Sequence, residues 1–303
     1  MSTVQQSFDH INISGTVLYD EPMSRHTTFR VGGPADVFVQ PLAESDVPSI
    51  LQAAENAKLP LFILGGGANI LVSDAGIRGV VLDMTGLKGI EVKGHTIVCE
   101  AGAEVTAVTS FAAQEGLGGI DFLHSMPGTI GGAVWMNARC YGSSIVDILI
   151  EVRGVTDSGD SFVYRPKEED FGYKRSPFQQ RRDVITSCTF SLHREASAEV
   201  WDRMLGYYQD RESKGHFALP SAGSVFKNNR QFGRPSGAII DSIGMRGTRI
   251  GGAKVSDEHA NIIVNTGTAT AADIRALMEH VRQRVRTELG LELEQEVLYV
   301  GEW

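Results

Sequence analysis

The sequence predicts an α+β fold built from more than one domain. Its 303 residues exceed the roughly 100 to 200 residues of a typical domain, so two or three subdomains with a cleft between them are expected. The composition, 42% hydrophobic and 21% charged, is that of an ordinary soluble globular protein. Along the chain, apolar runs of strand length alternate irregularly with amphipathic segments of helical period.

The first half of the chain predicts two helices and several short strands. Apolar residues recur at helical spacing after Asp46 and again from Val105 up to Gly116. The apolar run at 59–64 predicts a buried strand that leads directly into Gly65. Further strands are predicted at 80–83, 89–93 and 96–100.

The second half begins with irregular sequence. Between residues 118 and 142, glycine, proline and asparagine stand among small residues, which predicts loops where the backbone closely approaches another group. A helix from Ala196 to about Arg211 is expected to join two lobes, and the last helix begins at a capping pattern at 270–273. Strands are predicted at 145–155, 161–164, 183–192 and 294–300.

The charge distribution bears on the class of ligand. A net charge of −9 argues against a protein that mainly binds the phosphate backbone of nucleic acids, since that function requires a basic surface. Between Arg203 and Lys254, however, nine Lys or Arg stand against three acidic residues. Two interpretations of this stretch are open: attraction of a small anionic substrate, or a solvated basic face.

The sequence shows no pattern of export, membrane insertion or metal binding. Cys99, Cys140 and Cys188 are widely spaced, which predicts packing residues rather than disulfides. Residues 1–15 are polar, and no apolar run approaches the roughly 18 residues of a membrane span. No Cys, His or acidic cluster has metal-ligand spacing. We therefore expect a cytoplasmic protein without a metal site; the sequence indicates no protein partner.

A triglycine follows the predicted strand at 59–64. Without side chains, successive backbone N–H groups of such a turn can point at a diphosphate. No third glycine or crossover helix follows, so the turn differs from the GxGxxG of a dinucleotide-binding unit. A simple tight turn is the alternative. The residues of this loop are Gly65, Gly66, Gly67, Ala68 and Asn69.

A second glycine-rich segment lies about 60 residues downstream and leads into 136–138. Two such loops would suit a ligand with a diphosphate at its centre and groups on both sides; two unrelated turns are the alternative. Arg30 belongs to an earlier glycine turn, where it would contact a ligand or form a salt bridge. The residues singled out in the second segment are Pro127, Gly128, Thr129, Gly131, Gly132 and Ala133.

Five motifs, in this order, resemble those of the UDP-N-acetylenolpyruvoylglucosamine reductases. They are T-x-R-x-G-G-P-A at 28–35, G-G-G-x-N at 65–69, P-G-x-x-G-G-A-x-x-M-N-A at 127–138, G-S-x-F-K-N at 223–228 and E-V at 296–297. The resemblance spans nearly the whole chain and is to the shorter form of the family.

The resemblance implies a two-subdomain FAD-binding fold of the vanillyl-alcohol-oxidase (PCMH) type plus a C-terminal α+β substrate-binding domain. FAD would be bound non-covalently, with NADPH as co-substrate. The predicted boundaries are 1–20 for an N-terminal extension, 21–200 for the FAD-binding domain with a split near residue 85, and 210–303 for the substrate-binding domain.

The reaction implied is reduction of UDP-N-acetylglucosamine enolpyruvate to UDP-N-acetylmuramate, a step of peptidoglycan synthesis. Hydride passes from NADPH to FAD and then to the enolpyruvyl methylene carbon, while the adjacent carbon takes a proton. By motif match Ser224 is the proton donor, polarised by Lys227 or by backbone N–H groups, and Glu296 lies at the reacting carbon. Local pattern alone would make Ser224 a cap or turn residue and Glu296 part of an exposed acidic strand face.

A third role belongs to a family arginine, in a Y-R-x-S motif, that steadies the substrate carboxylate. Here Lys174 occupies the aligned position and Arg175 follows it. An ammonium is a point charge whereas a guanidinium is a planar fork, so the two are not interchangeable. Lys174 is the preferred candidate and Arg175 the alternative.

The resemblance also assigns cofactor binding to Arg30 and both glycine loops. For His259, a structural hydrogen bond is as consistent with the sequence as a contact with substrate. The residues assigned to substrate binding are Tyr173, Lys227, Asn228 and His259.

Two other functions are compatible with parts of the pattern. Another FAD-dependent oxidase or dehydrogenase of the same fold would keep the glycine loops but not Ser224 and Glu296. A catalytically silent nucleotide-binding homologue would keep the fold, and the Lys174 replacement is the feature in its favour.

Overall fold

The computed structural model describes Phe8 and residues 11–303. Residues 1–7, 9 and 10 of the predicted N-terminal extension lie outside the described residues. The described chain forms two compact units. The first contains Asp36–Gly66, Gly79–Tyr208 and the described part of 1–20; the second contains Glu21–Ala35, Gly67–Arg78 and Gln209–Trp303. The predicted domain boundaries stay predictions.

The strands are short, as the sequence predicts. In chain order they are β1 Gly15–Pro22, β2 Pro34–Pro41, β3 Leu61–Leu64, β4 Ile70–Val72, β5 Ile77–Asp83, β6 Ile90–Lys93, β7 Thr96–Glu100, β8 Leu117–Gly118, β9 Arg139–Cys140, β10 Ser143–Ser144, β11 Leu149–Val155, β12 Ser161–Tyr164, β13 Val184–Ser191, β14 His193–Arg194, β15 Ser221–Ser224, β16 Arg249–Ile250, β17 Ala253–Val255, β18 Ile262–Asn265 and β19 Leu298–Val300.

The α-helices named here lie between these strands. They are α1 Val47–Asn56, α2 Val105–Gln114, α3 Ile130–Trp135, α4 Ser197–Ser213, α5 Ser236–Ser242 and α6 Ala271–Leu289. Among the residues that the structure describes, no helix is long and apolar enough to cross a membrane.

The first unit contains two larger sheets, each with its own apolar core, and two two-stranded sheets, β9-β10 and β8-β14. A four-stranded sheet has the order β1-β2-β5-β3, in which β3 and β5 are parallel. Helix α1 buries Val47, Ile50, Leu51 and Ala54 in the cluster that holds the buried residues of this sheet, as its helical spacing predicts. A five-stranded antiparallel sheet has the order β12-β11-β13-β7-β6.

The core of the five-stranded sheet includes the two fully buried cysteines. Cys99 on β7 and Cys188 on β13 are directly paired across the strands, and both are free thiols. Burial raises the pKa of the Cys99 thiol to about 12, so it stays protonated and apolar in character. The interpretation of these cysteines as packing residues is confirmed.

The second unit is an antiparallel sheet, β15-β18-β17-β16, covered by helix α6. Thr270 and Asp273 form a capping box at the start of α6, and Gly290, with φ of +67°, ends it. Strand β19 pairs with β4 in parallel, starting with Leu298 opposite Ile70. The C-terminal segment is therefore attached to the strand that follows the triglycine loop.

Some local predictions differ from the structure. The strand predicted at 145–155 covers Leu149–Val155, and Ile145–Asp147 form a short 3₁₀ helix before it. The region 118–142, predicted as loops, contains the short helix α3, because Thr129 caps it and its apolar residues pack in the core. The C-terminal strand covers Leu298–Val300 rather than 294–300. Before Leu298 the backbone forms an isolated bridge, Gln295 to Phe226, instead of a continued ladder.

Candidate functional site

The two glycine-rich segments cross closely in the first unit. A Cβ on Gly66 would lie 2.6 Å from the Cα of Gly128, and a Cβ on Gly65 would lie 2.6 Å from Oγ1 of Thr129. Contacts this short with a backbone atom exclude any side chain at Gly66 without movement of the loop. The sequence separates these residues by about 60 positions, and the structure brings them together.

Helix α3 is held by the turn between strand β7 and helix α2. The Ile130 and Gly131 N–H groups donate to the carbonyls of Ala103 and Ala101, at 2.9 and 2.8 Å. A Cβ on Gly131 would lie 2.8 Å from the Cβ of Ala101. Packing against Ala101 therefore requires glycine at position 131, and the Gly131 N–H is bonded within the protein. Gly66 and Gly128, in contrast, are the glycines that meet where the two segments cross.

A cavity of about 600 Å³ opens at this crossing, entirely within the first unit. Its size lies within the range of small-molecule sites, and its wall combines bare backbone with a few polar groups, as such sites require. A Cβ at Gly66 would displace the neighbouring wall at Gly128. The residues that line the cavity are Gly66, Thr85, Lys88, Ile90, Gly102, Glu104, Thr106, Ala107, Met126, Pro127, Gly128 and Thr129.

Asn137 was not among the predicted site residues, although the M-N-A motif includes it. Its backbone has φ of +44°, its Nδ2 donates to the carbonyl of Gly172 at 2.8 Å, and it is 4% exposed. Among the described residues, none donates to its buried Oδ1. A buried acceptor without a partner costs free energy, so Oδ1 has the character of a ligand contact.

Lys174 and Arg175, the two candidates for binding the substrate carboxylate, differ in burial. Gly172 and Arg175 exchange backbone hydrogen bonds around a tight turn, in which Lys174 has φ of +56°. Gln179 donates to the Lys174 carbonyl at 3.1 Å. The Lys174 side chain is half-buried while Tyr173 and Arg175 are exposed. A strained backbone at a non-glycine residue is held by its surroundings and is common at functional sites.

In the second unit Gly67, the last residue of the triglycine, packs against the segment that leads to Arg30. Gly67 has φ of +59°, and a Cβ there would lie 2.0 Å from the carbonyl oxygen of His26. The Thr28 N–H donates to the Gly67 carbonyl at 3.1 Å. Arg30 is exposed and has φ of +56°. Both motifs thus shape one another's backbone.

Ser224 ends strand β15, opposite Ile262 on β18. The preceding Gly223 has φ of +69°, and the pairing is irregular between Ser221 and Ser224. Ser224 is half-buried. Bulges of this kind redirect a side chain at the end of a strand, and a serine hydroxyl so placed is available to a ligand.

Glu296 is distinguished by burial from the acidic residues before it. Glu292 and Glu294 are exposed, whereas Glu296 is 9% exposed. The Glu296 N–H donates to the carbonyl of Val225 at 2.8 Å. An exposed acidic strand face therefore does not describe this segment, and Glu296 lies beside the backbone that carries Ser224.

Asn261 fixes the same turn and was missed as a candidate. Its Oδ1 accepts from the Phe226 N–H at 3.1 Å, and its Nδ2 donates to the Phe226 carbonyl at 2.8 Å. Its carbonyl accepts from the Val225 N–H at 2.9 Å. At 2% exposed, Asn261 is a buried residue whose side-chain amide and carbonyl bond to the segment after Ser224. Local pattern gave no signal for it.

Lys227 and Asn228 have structural partners in the second unit. The Lys227 ammonium lies 2.6 Å from Oε1 of Glu294, and the Lys227 N–H donates to the Glu294 carbonyl. Asn228 Oδ1 accepts from the Ser236 N–H, at the start of α5. The ion pair is partly exposed, so it contributes little stability by itself. In the structure the Lys227 ammonium therefore pairs with Glu294, whereas the sequence-based expectation is that it polarises the Ser224 hydroxyl.

His259 lies against His216, with ring centroids 6.0 Å apart. The Asn261 N–H donates to its Nδ1 at 3.2 Å. Burial lowers the pKa of His259, and burial together with Arg211 and His259 lowers that of His216 to about 4. Both rings are neutral at pH 7, and His259 makes the structural hydrogen bond considered from the sequence.

Among the described residues, no group of three or more His, Cys, Asp or Glu side chains is arranged to hold a metal ion. The polar groups gathered near Ser224 are instead a carboxylate, amides and a lysine.

Two family models match the chain. Residues 35–163 match the model described as an FAD binding domain, and residues 215–300 match the C-terminal domain of UDP-N-acetylenolpyruvoylglucosamine reductase. The first match contains the glycine crossing and the cavity. The second contains Ser224 and Glu296.

Curated relatives match over nearly the full length. A UDP-N-acetylenolpyruvoylglucosamine reductase of Borrelia garinii subsp. bavariensis is 41% identical over 97% of this chain and 95% of its own length. Reductases with the same description are 40% identical in Borreliella burgdorferi, over 92% and 93% of the two chains, and 39% identical in Treponema denticola, over 95% of each.

Solved structures agree with these matches. The crystal structure of UDP-N-acetylenolpyruvylglucosamine reductase from Thermus caldophilus has a TM-score of 0.79 and 31% identity, covering 95% of this chain and 100% of that one. The Physcomitrella patens BBE-like 1 wild-type protein, at 20% identity and a TM-score of 0.50, covers 64% of this chain and 45% of its own. The second likeness is one of fold alone.

Proposed function

Because this chain belongs to the UDP-N-acetylenolpyruvoylglucosamine reductase family, whose members reduce an enolpyruvyl UDP-sugar in peptidoglycan precursor synthesis, we propose specific residues for its reaction. It is an FAD-dependent oxidoreductase of the vanillyl-alcohol-oxidase fold with NADPH as hydride donor. The substrate proposed is UDP-N-acetylglucosamine enolpyruvate, and the compartment proposed is the cytoplasm.

The residues of the first unit fit FAD. The cavity at the crossing of Gly66 and Gly128 has a volume of about 600 Å³, and a side chain at Gly66 would force the two glycine segments apart. Elsewhere in the first unit, the buried Oδ1 of Asn137 is an acceptor that a ligand N–H would satisfy. When bound, FAD supplies the relay of hydride from NADPH to the substrate. Non-covalent binding is proposed. The residues proposed to hold FAD are Arg30, residues 65–68, Pro127, Gly128, Thr129, Gly131, Gly132 and Ala133, whereas the Asn69 amide bonds to the Glu296 carbonyl.

Ser224 is proposed to give the proton. Hydride adds to the enolpyruvyl methylene carbon, the C=C bond becomes a single bond, and the adjacent carbon takes a proton from the Ser224 hydroxyl. Two features support a fixed position for this hydroxyl: the irregular end of β15, and the three hydrogen bonds between Asn261 and the Val225–Phe226 backbone. Glu296 is proposed to act at the reacting carbon.

The substrate anions require cations. Lys174 is proposed to steady the carboxylate, supported by its half-buried side chain and constrained backbone, while Arg175 is exposed. Tyr173, Lys227, Asn228 and His259 are proposed to contact the remainder of the substrate. The basic stretch between Arg203 and Lys254 is consistent with attraction of a diphosphate.

The observation that carries the proposed roles is the burial of Glu296 with its N–H on Val225, next to Ser224. The test is anaerobic rapid mixing of the purified protein. NADPH should bleach the flavin band, and UDP-N-acetylglucosamine enolpyruvate should restore it without oxygen. If only oxygen restores the colour, the chain is an oxidase of the same fold. Acid precipitation should release the yellow colour into the supernatant; colour in the pellet would contradict non-covalent binding.

A further inference from the structure

Asn69 closes the triglycine motif, where the sequence predicts a cofactor contact. In the structure its side chain bonds elsewhere: Nδ2 donates to the carbonyl of Glu296 at 3.1 Å. Its own carbonyl accepts from the Leu298 N–H at 3.0 Å. Asn69 therefore binds the C-terminal segment at the residue proposed to act in catalysis and again two residues later.

The strand pairing leaves Glu296 dependent on such contacts. The parallel ladder between β4 and β19 starts with Ile70 opposite Leu298. Glu296 precedes this ladder, and its N–H belongs instead to the isolated antiparallel bridge between Gln295 and Phe226. Its N–H donates to the Val225 carbonyl, and its own carbonyl accepts from the Asn69 amide. Together these two bonds define the rotation of the backbone at Glu296.

The packing beneath these bonds is tight. Leu71, Val225 and Val297 belong to one apolar cluster, and Leu71 and Val297 are 0% and 1% exposed. The strand that follows Asn69 and the residue that follows Glu296 are therefore anchored independently. Removal of the Asn69 amide would therefore leave this apolar packing in place and remove the hydrogen bond to the Glu296 carbonyl.

We propose that Asn69 is a positioning residue that orients Glu296 for the reaction with the enolpyruvyl substrate. The inference rests on the proposed role of Glu296. Displacement of a catalytic group by about 1 Å can cost on the order of 10²-fold in rate, so a single hydrogen bond to its backbone is sufficient to matter. Flavin reduction by NADPH does not need Glu296 and is independent of this bond.

The test uses Asn69→Ala and Asn69→Asp in the flavin-loaded enzyme. Asn69→Asp keeps the size of the side chain but replaces the donor with an oxygen facing the Glu296 carbonyl. Rapid mixing should show flavin reoxidation by the enolpyruvyl substrate slowed about 10- to 100-fold in both variants. The FAD dissociation constant and the rate of reduction by NADPH should stay within about threefold. A loss of FAD affinity or of both rates in parallel would overturn the proposal and make Asn69 a cofactor ligand.

Asp74→Ala is the matched control. Asp74 lies in the same segment, 67–78, and its two carboxylate oxygens accept from the Ala271 and Ala272 N–H groups at 2.8 and 2.9 Å. This change removes two attachments of the segment without touching Glu296, so it should lower the urea midpoint but leave the ratio of the two half-reaction rates unchanged. If Asp74→Ala slows reoxidation as selectively as Asn69→Ala, general attachment explains the effect and the positioning role is wrong.

A double variant separates this inference from the proposed role of Glu296. If Asn69 acts through Glu296, combining Asn69→Ala with Glu296→Gln should slow reoxidation no more than Glu296→Gln alone. Multiplying effects would overturn the positioning role while the role of Glu296 stands. Normal reoxidation in Glu296→Gln alone would overturn both the role of Glu296 and the inference built on it.

Discussion

The Glu296 N–H donates to the carbonyl of Val225 at 2.8 Å, which ties Glu296 to the residue that follows Ser224. The two proposed reacting groups are thereby fixed on neighbouring backbone within one unit. Asn261 holds the same turn from the other side through Val225 and Phe226. Hydrogen bonds to the backbone therefore hold the segments that carry the proton donor and the carboxylate.

Ser224→Ala should separate the two half-reactions. Flavin reduction by NADPH needs no proton donor and should be nearly unchanged, whereas reoxidation by the enolpyruvyl substrate should slow roughly 10²- to 10⁴-fold, the usual contribution of a positioned general acid. Anaerobic rapid mixing measures both steps. Ser213→Ala, which removes a hydroxyl bonded to the Asp210 carbonyl at the end of α4, is the control and should alter neither. Equal impairment of both steps by Ser224→Ala would show that Ser224 maintains the fold or the flavin site instead.

Gly66→Val should weaken FAD binding by about tenfold or more, because its Cβ would lie 2.6 Å from the Cα of Gly128. Gly131→Val should also weaken it, but through the clash with Ala101 in the core and with a lower urea midpoint. Gly206→Ala, where a Cβ meets nothing within 4 Å, is the control. Flavin titration of each apoprotein measures the affinity. Full flavin occupancy in Gly66→Val would make the crossing a structural turn only.

Lys174→Ala and Arg175→Ala should differ sharply. The residue that binds the substrate carboxylate loses a charge-assisted contact worth about 1.5 to 3 kcal/mol, while an exposed neighbour should lose within about 0.5 kcal/mol. We expect the large loss in kcat/KM for Lys174→Ala, because Lys174 is half-buried and Arg175 exposed. The reverse order would assign the role to Arg175. Small, equal losses would mean that other residues recognise the carboxylate.

His216 should make the protein less stable in mild acid. Its pKa is lowered to about 4 in the folded state, so between pH 6.5 and 4 the unfolded chain binds a proton that the folded chain does not. Stability from this group is complete above about pH 6.5 and is lost as the pH falls toward 4, by at most about 3 kcal/mol. Urea unfolding at pH 7.5 and pH 5 measures it. The difference between the two pH values should shrink in His216→Asn; an unchanged difference would assign it to other groups.

Local sequence determined the elements whose signals are short-range. Helix α6 begins at its capping box and ends at Gly290, and α1 follows its apolar spacing, because both depend on residues three or four positions apart. Family motifs, rather than periodicity, pointed to Ser224, Glu296 and the glycine loops. The family and FAD dependence that they implied are confirmed, while the individual residue roles stay predictions.

Tertiary structure decided which atoms meet. The bond from Asn69 to Glu296 spans 227 positions, and nothing in the period of either segment encodes it. Burial of Glu296 beside exposed Glu294, and the pairing of Lys227 with Glu294, likewise depend on the irregular backbone before β19. Alternation predicts the face of a regular strand, but it loses meaning where the ladder stops. Before β19, hydrogen bonds from side-chain amides and apolar packing determine the backbone conformation. The residues that make these contacts are far apart in the sequence and meet only in the folded chain.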